Sequence, residues 1–223
     1  MSKVFIIADT HMPFTDKAAL KEVYKAIAIE KPDAVVQIGD LLDQFVFSKY
    51  TRDHNLVTPE DEIVAGYEMA TEFWSKINKI SKNSRKYQLL GNHDYRVYKR
   101  IMEKLPEFIT LFDIREKLYK FDRVKVMKSD KDFLLIDNII YTHGWLTKLG
   151  DHAHFFNKSV VHGHSHKPGL IIKTIHDGIV FELDVGHMAD EHSVPLNYTA
   201  SKMKNWVKAY GIVNNGKPRL EIL

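Results

Sequence analysis

Cysteine is absent from the 223 residues, which excludes a disulfide scaffold, a thiolate nucleophile and every zinc or iron–sulfur site built on sulfur. Any metal this chain holds is held by nitrogen and oxygen. Long apolar runs are missing as well: nothing approaches the roughly 18 apolar residues that cross a bilayer, so no membrane partner is expected. Charge of one sign is scarce, because 32 Lys and Arg against 29 Asp and Glu leave a net charge of +3. That is too little for a dedicated DNA-binding module, although the pI near 8.8 leaves room for a local basic patch. With 44% hydrophobic and 27% charged residues the composition is that of an ordinary soluble globular protein. The length favours one domain over residues 1–223. Val4 to Ala8 is too short for a signal-peptide apolar region and runs directly into Asp9, so a cytoplasmic address is expected.

What the chain does have is order in its apolar runs. Val4 to Ala8 and Ala34 to Ile38 read as strands buried on both faces. Between them a helical pattern from Asp16 to about Glu30 puts Leu20, Val23, Tyr24 and Ile27 on one side. This is a βαβ unit with parallel pairing. Thr58-Pro59-Glu60-Asp61-Glu62 is a helix start, with Ile63, Tyr67, Ala70, Trp74 and Ile77 as its buried stripe. A third strand follows over Lys86 to Leu90, then a short helix to about Lys104, and then short strands near residues 124–127, 133–136 and 139–142. Two hairpins close the pattern, turning at His176-Asp177-Gly178 and Asn214-Asn215-Gly216. The expected architecture is a layered α/β domain with mixed sheets packed together and helices outside.

Five polar motifs each follow an apolar run: Asp9-Thr10-His11, Gly39-Asp40, Gly91-Asn92-His93-Asp94, His143-Gly144 and Gly163-His164-Ser165-His166. In a largely parallel sheet the carboxyl ends of neighbouring strands lie together, so these side chains can converge on one crevice. Each has a blander reading. Asp9 and His11 can cap a turn, Gly39-Asp40 can be a loop, Asn92-His93-Asp94 can open a helix, and His143 can be a satisfied core histidine. The His-Ser-His pair straddling a turn is the most specific of the five, because it can aim two imidazoles at one place. Taken together, and with twelve histidines in the chain, the five point to a metal site.

The ordered series DxH, GD, GNHD, H and GHxH resembles the calcineurin-like metallophosphoesterase superfamily over Asp9 to His166. The resemblance implies a four-layer α/β/β/α sandwich of two mixed β-sheets flanked by helices, with two divalent ions at one edge. One ion would be held by Asp9, His11, Asp40 and His166, and the other by Asp40, Asn92, His143 and His164, with Asp40 bridging. His93 resembles the family's catalytic histidine, which stabilises the phosphoryl group and protonates the leaving oxygen, and Asp94 would fix its tautomer and orientation. Two such ions and two aspartates, with a shared hydroxide, leave about one positive charge to receive a phosphate. Ions about 3.5 to 4 Å apart align that hydroxide for in-line attack. Hard nitrogen and oxygen ligands suit manganese, with iron, nickel or zinc as alternatives.

Arg96 and Arg100 lie three and seven residues after His93, so a helix starting there would present both to a substrate phosphate, or else to solvent. Histidines 54, 152, 154, 162, 176, 187 and 192 match no motif. His152 and His154 stay in reserve, because they lie between two ligand motifs. The run Gly39-Asp40-Leu41-Leu42-Asp43-Gln44 lacks the Arg-Gly of the protein phosphatases' GDxxDRG, which argues against a phosphoprotein substrate. The chain is similar to compact phosphoesterases encoded by tailed phages. Three functions are therefore carried forward: a phosphoesterase for nucleotides or other small phosphate esters, a DNA or RNA nuclease, and a non-catalytic scaffold on the same fold.

Overall fold

The computed structural model describes residues 1–48, 57–109, 118–176, 178–193 and 205–223. The helices are α1 (Lys17–Glu30), α2 (Pro59–Ile80), α3 (Arg96–Lys104) and α4 (Asp151–Phe156). The strands are β1 (Lys3–Ile7), β2 (Ala34–Ile38), β3 (Arg85–Leu89), β4 (Val124–Val126), β5 (Phe133–Ile136), β6 (Ile139–Thr142), β7 (Val160–His162), β8 (Gly169–Ile175), β9 (Gly178–Asp184), β10 (Ala209–Asn214) and β11 (Lys217–Ile222). They form two mixed sheets, ordered β11-β10-β1-β2-β3-β4 and β5-β6-β7-β9-β8.

The unbroken apolar runs of β1 and β2 are explained by a core on each side of them. Alternate side chains of a strand point to opposite faces. Phe5, Ile7 and Val35 pack against Val23, Ile27, Phe73 and Trp74 of α1 and α2. Their neighbours Val4, Ile6, Ala34 and Val36 face the second sheet, against Tyr141, Val161 and Leu183. The six-residue helix α4 covers part of the outer face of that second sheet, with His152 and Ala153 buried. The result is the α/β/β/α layering that the resemblance implied. None of the described helices is long and apolar enough to cross a membrane.

Two expectations change. The buried stripe of α2 is Glu62, Gly66, Ala70, Phe73, Trp74 and Ile77, whereas Ile63 and Tyr67 are only half-buried. Glu62 is inside because its carboxylate accepts from the backbone N–H groups of Phe45 and Val46, at 2.5 and 2.8 Å. Gly66 is inside because a Cβ there would meet the Met12 carbonyl oxygen at 3.2 Å. Secondly, the five polar motifs do not lie on one sheet. Asp9, Asp40 and Asn92 follow β1, β2 and β3, while His143 and His164 follow β6 and β7 of the other sheet. The crevice is the seam between the two sheets.

Helix α1 starts at Lys17, with Asp16 as its cap. Asp16 Oδ1 accepts from the N–H of Ala18 and Ala19 at 2.8 and 3.1 Å, and Oδ2 lies 3.0 Å from Lys208 Nζ, next to β10. Asp16→Ala is expected to lower stability by about 1 kcal/mol, read as a shifted denaturant midpoint at constant slope. Asp16→Asn retains the cap and should recover most of the loss.

Candidate metal centre and active site

The turns after five strands bring the seven candidate ligands together, and they do so in unusual backbone. Asp9, His11, Asp40, His164 and His166 all have positive φ, between 50° and 71°. This region is sparsely populated by residues other than glycine and is commonly found at functional sites. Close backbone approach adds to the constraint. A Cβ on Gly91 would lie 2.5 Å from Asp40 N, and one on Gly163 would lie 2.6 Å from Ala8 Cβ. These two glycines let the β2 and β3 turns, and the β1 and β7 turns, touch.

Two clusters result. In the first, the Nδ1–H of His11 donates to Asp43 Oδ2 at 2.9 Å, which leaves Nε2 as a bare acceptor. That atom lies 3.2 Å from His166 Nε2, itself 3.2 Å from Asp9 Oδ1. In the second, the Nδ1–H of His143 donates to the Ile38 carbonyl at 3.1 Å. Its bare Nε2 faces Asn92 Oδ1 at 3.0 Å and Asp40 Oδ2 at 3.4 Å. His164 Nδ1 lies 3.0 Å from the same Asn92 oxygen. With the rings neutral, acceptors face acceptors in both clusters, and a divalent cation is what such a donor set fits. Potential ligand atoms of Asp9, His11 and His166, and of Asp9, Asp40 and His143, lie within 4.8 Å of one another.

The electrostatics agree with the geometry. Burial pushes the Asp9 carboxyl up, but His166 and His143 outweigh it and hold the group at about 2. Asp40 is likewise held well below the usual carboxylate range, against its burial, by His143 and His93. For His143, burial is overcome by Asp40 and Asp9, and the ring is lifted to about 10, so without an ion Nε2 takes up a proton where a cation would otherwise sit. The buried anions call for positive charge at this point.

A polar scaffold holds the turns. Trp74 Nε1–H donates to Gln88 Oε1 at 3.2 Å, Gln88 in turn donates to Gln37, and Gln37 Nε2–H donates to the Gly39 carbonyl at 2.8 Å. This chain of buried amides fixes the residue before Asp40. Asp94 does not serve His93, as the resemblance implied. Its carboxylate accepts from the N–H groups of Leu41, Leu42 and Gly91 at 3.2, 2.9 and 2.8 Å, and from Tyr119 Oη–H at 2.7 Å. It pins the β2 turn to the β3 turn.

The group beside His93 is Asp43, which the motif reading passed over. Asp43 Oδ2 lies 3.4 Å from His93 Nδ1 and 2.9 Å from His11 Nδ1, so one carboxylate orients two histidines. A second aspartate three residues after Asp40 was the available signal. Arg96 is also committed: it donates to Asp43 Oδ1 at 3.1 Å and to His93 Nε2 at 2.8 Å. It lies at the catalytic edge, but bound to protein. Arg100 is exposed, one turn further along α3. Of the unmatched histidines, His187 is buried and stacks on His166 with ring centroids 5.1 Å apart. His152 and His162 are buried together beside Glu182. His154, His176 and His192 are exposed, and His54 lies outside the described residues.

Residues 2–168 match the model of the calcineurin-like phosphoesterases. The chain is 27% identical to the Gene 54 protein of Mycobacterium phage D29, over 99% of its own length and 93% of the relative's. It is 25% identical to the Gene 54 protein of Mycobacterium phage L5, over 96% and 89% of the two chains. Among solved structures it is similar to Yfce, a phosphoesterase from E. coli, with 18% identity and a TM-score of 0.47 over 96% of this chain and 88% of that one. With five strand-end motifs gathered at the sheet seam and a family match over most of its length, the chain belongs to the calcineurin-like phosphoesterases.

Proposed function

We propose that this protein is a dinuclear-metal-dependent phosphoesterase that hydrolyses phosphate ester bonds in nucleotides or other small phosphate esters. One observation carries the reading: the potential ligand atoms gather in overlapping groups at the sheet seam, Asp9 with His11 and His166, Asp9 with Asp40 and His143, and Asp40 with His11 and His93, so that Asp40 stands between the two sides. Asp9, His11, Asp40 and His166 would hold one ion and Asp40, Asn92, His143 and His164 the other, with manganese as the favoured metal. When bound, the ions supply positive charge for the phosphate oxygens and acidify a water as nucleophile.

The chain's own groups do the rest. The backbone N–H of His93 donates to Asp40 Oδ1 at 2.8 Å, and that of His164 to Asp9 Oδ2 at 2.9 Å, which leaves the opposite oxygens turned inward. His93 keeps its Nδ1 toward Asp43, so Nε2 is the atom that meets substrate. In the arrangement described, Nε2 accepts from Arg96 and cannot act as an acid. An incoming phosphate oxygen offers the guanidinium a stronger, charge-assisted partner. Nε2, once released, can carry the proton that the departing oxygen needs. A scaffold would have no use for this arrangement of Asp43, His93 and Arg96. A nuclease reading has support in Arg100, which is exposed one turn beyond Arg96 and makes no ion pair among the described residues. Hydrolysis of bis-p-nitrophenyl phosphate, nucleoside monophosphates and single-stranded DNA, compared side by side with manganese, separates the two.

Three outcomes are expected. Metal analysis of manganese-reconstituted protein should approach two ions per chain; Asp40→Ala should lose most of both, and Asn92→Ala should weaken one. Saturation at one ion with full activity would sink the bridged-pair reading. His93→Asn should leave metal content intact and lower turnover of poor leaving groups such as nucleosides by roughly 10² to 10⁴, while sparing much of the activity on p-nitrophenyl esters, whose leaving group needs no proton. A parallel fall on both would assign His93 to electrostatic stabilisation instead. Arg96→Ala should depress kcat/KM on both ester classes, since it acts beside His93; a loss confined to nucleotides would mean that it grips a second phosphate.

A further inference from the structure

A second group of buried titratable side chains lies outside the reaction proposed above. His152, His162 and Glu182 are 0%, 1% and 0% exposed, on α4, β7 and β9, and their potential ligand atoms lie within 4.8 Å of one another. Geometry argues against a third metal. His152 Nε2 accepts from the backbone N–H groups of Trp145 and Leu146, at 3.1 and 3.3 Å. The neutral ring therefore carries its proton on Nδ1, which faces Glu182 Oε1 at 3.6 Å. A cation among the three would need that proton moved to Nε2, against two backbone donors. His162 points Nε2 at the same Glu182 oxygen at 3.0 Å and donates from Nδ1 to the Gly163 carbonyl at 2.9 Å. Glu182 Oε2 accepts from the Ala153 N–H at 2.7 Å. His152 is thus committed through Nε2 to two backbone donors, and the close contact of the cluster is the one between His162 and Glu182.

The backbone groups that this cluster grips decide its meaning. Trp145 and Leu146 directly follow His143-Gly144, and Gly163 directly precedes His164. The two segments also touch each other, since Gly163 N–H donates to the His143 carbonyl at 3.2 Å. Both histidines of the second candidate metal cluster thus sit on turns anchored from beneath to one carboxylate. The first cluster has anchors that His152 and Glu182 do not supply: His11 is held by Asp43, and the Ser165 turn that leads to His166 by Asp184 Oδ2, which accepts from Ser165 Oγ–H at 2.5 Å and lies 3.6 Å from His162 Nδ1.

We infer that Glu182, acting through His152 and His162, is a positioning residue that fixes His143 and His164 relative to each other and so sets the affinity of the second cation without setting that of the first. This rests on the reading that His143 and His164 ligate. Residues behind metal ligands commonly change affinity by about 10- to 100-fold when lost.

The test is manganese titration of the full chain, followed by calorimetry and electron paramagnetic resonance, with circular dichroism and thermal melting to establish folding. Wild type should show two binding events. His152→Leu removes the acceptor for Trp145 and Leu146, and should weaken one event by about tenfold or more while leaving the other within about twofold. His152→Gln, whose amide oxygen can accept the same N–H groups, should restore much of it. Glu182→Gln keeps the volume, cannot serve all its donors, and should shift the same event in the same direction even if the leucine variant fails to fold. Equal weakening of both events would reduce the cluster to general structural support and overturn the inference, as would no change at all. Fewer than two events in wild type would instead overturn the dinuclear reading, and this inference with it.

Discussion

Everything about this fold is arranged around an unfavourable act, the burial of two carboxylates and several bare imidazole nitrogens about one point. Asp9 and Asp40 are both buried, Asp40 raises the proton affinity of Asp9, and in the absence of an ion the neighbouring His166 and His143 offset the charge. Left to relax, such a set would swing apart toward water or pick up protons. It is held by groups that do not themselves ligate: the N–H groups of His93 and His164, the Ile38 carbonyl and Asp43. Left-handed backbone at five of the candidate ligands carries a cost of order 1–3 kcal/mol each. It persists because Asp94 and the amide chain from Trp74 through Gln88 to Gln37 leave the turns no other path.

The two-sheet layering makes this holding possible. Three of the ligand-bearing turns belong to the first sheet and two to the second, so the apolar seam of Ile6, Val36, Ile38, Tyr141 and Val161 doubles as the ruler of the site. A seam of branched, fully buried side chains packs at near-crystalline density and has few alternative arrangements. Slippage of one sheet over the other would separate His143 and His164 from Asp40 and Asn92. The continuous hydrophobic character of β1 and β2 is thus a requirement of the chemistry as much as of the core.

Much of this was legible in the sequence, and the failures have physical causes. The strands β1 and β2, the helix start at Thr58, and both hairpins follow from local pattern. At the second hairpin, Asn215 and Gly216 both take positive φ between paired Asn214 and Lys217, as a two-residue turn requires. The candidate ligands were legible because each polar motif interrupts an apolar run beside a glycine. Which sheet a strand joins is not written locally, so the seam was mistaken for a single strand-end crevice. The resemblance gave Asp94 to His93, yet its side chain turns back to Leu41, Leu42 and Gly91. Glu62, Gly66 and Glu182 are buried through partners far along the chain, which no periodicity reveals.

The anchoring of the two halves of the site is asymmetric. On one side a single carboxylate, Asp43, orients His11, a candidate ligand, and His93, the candidate acid, and also binds Arg96. Its charge is held far below the usual carboxylate range because, against strong desolvation, His93 and His11 both draw on it. Any change at Asp43 must therefore alter ion binding and proton chemistry together. On the other side His143 is oriented by a backbone carbonyl, which no substitution removes, and the turns carrying His143 and His164 are tied to a carboxylate that touches neither ring. That half can be adjusted through its support alone, whereas a change at Asp43 moves His11, His93 and Arg96 together.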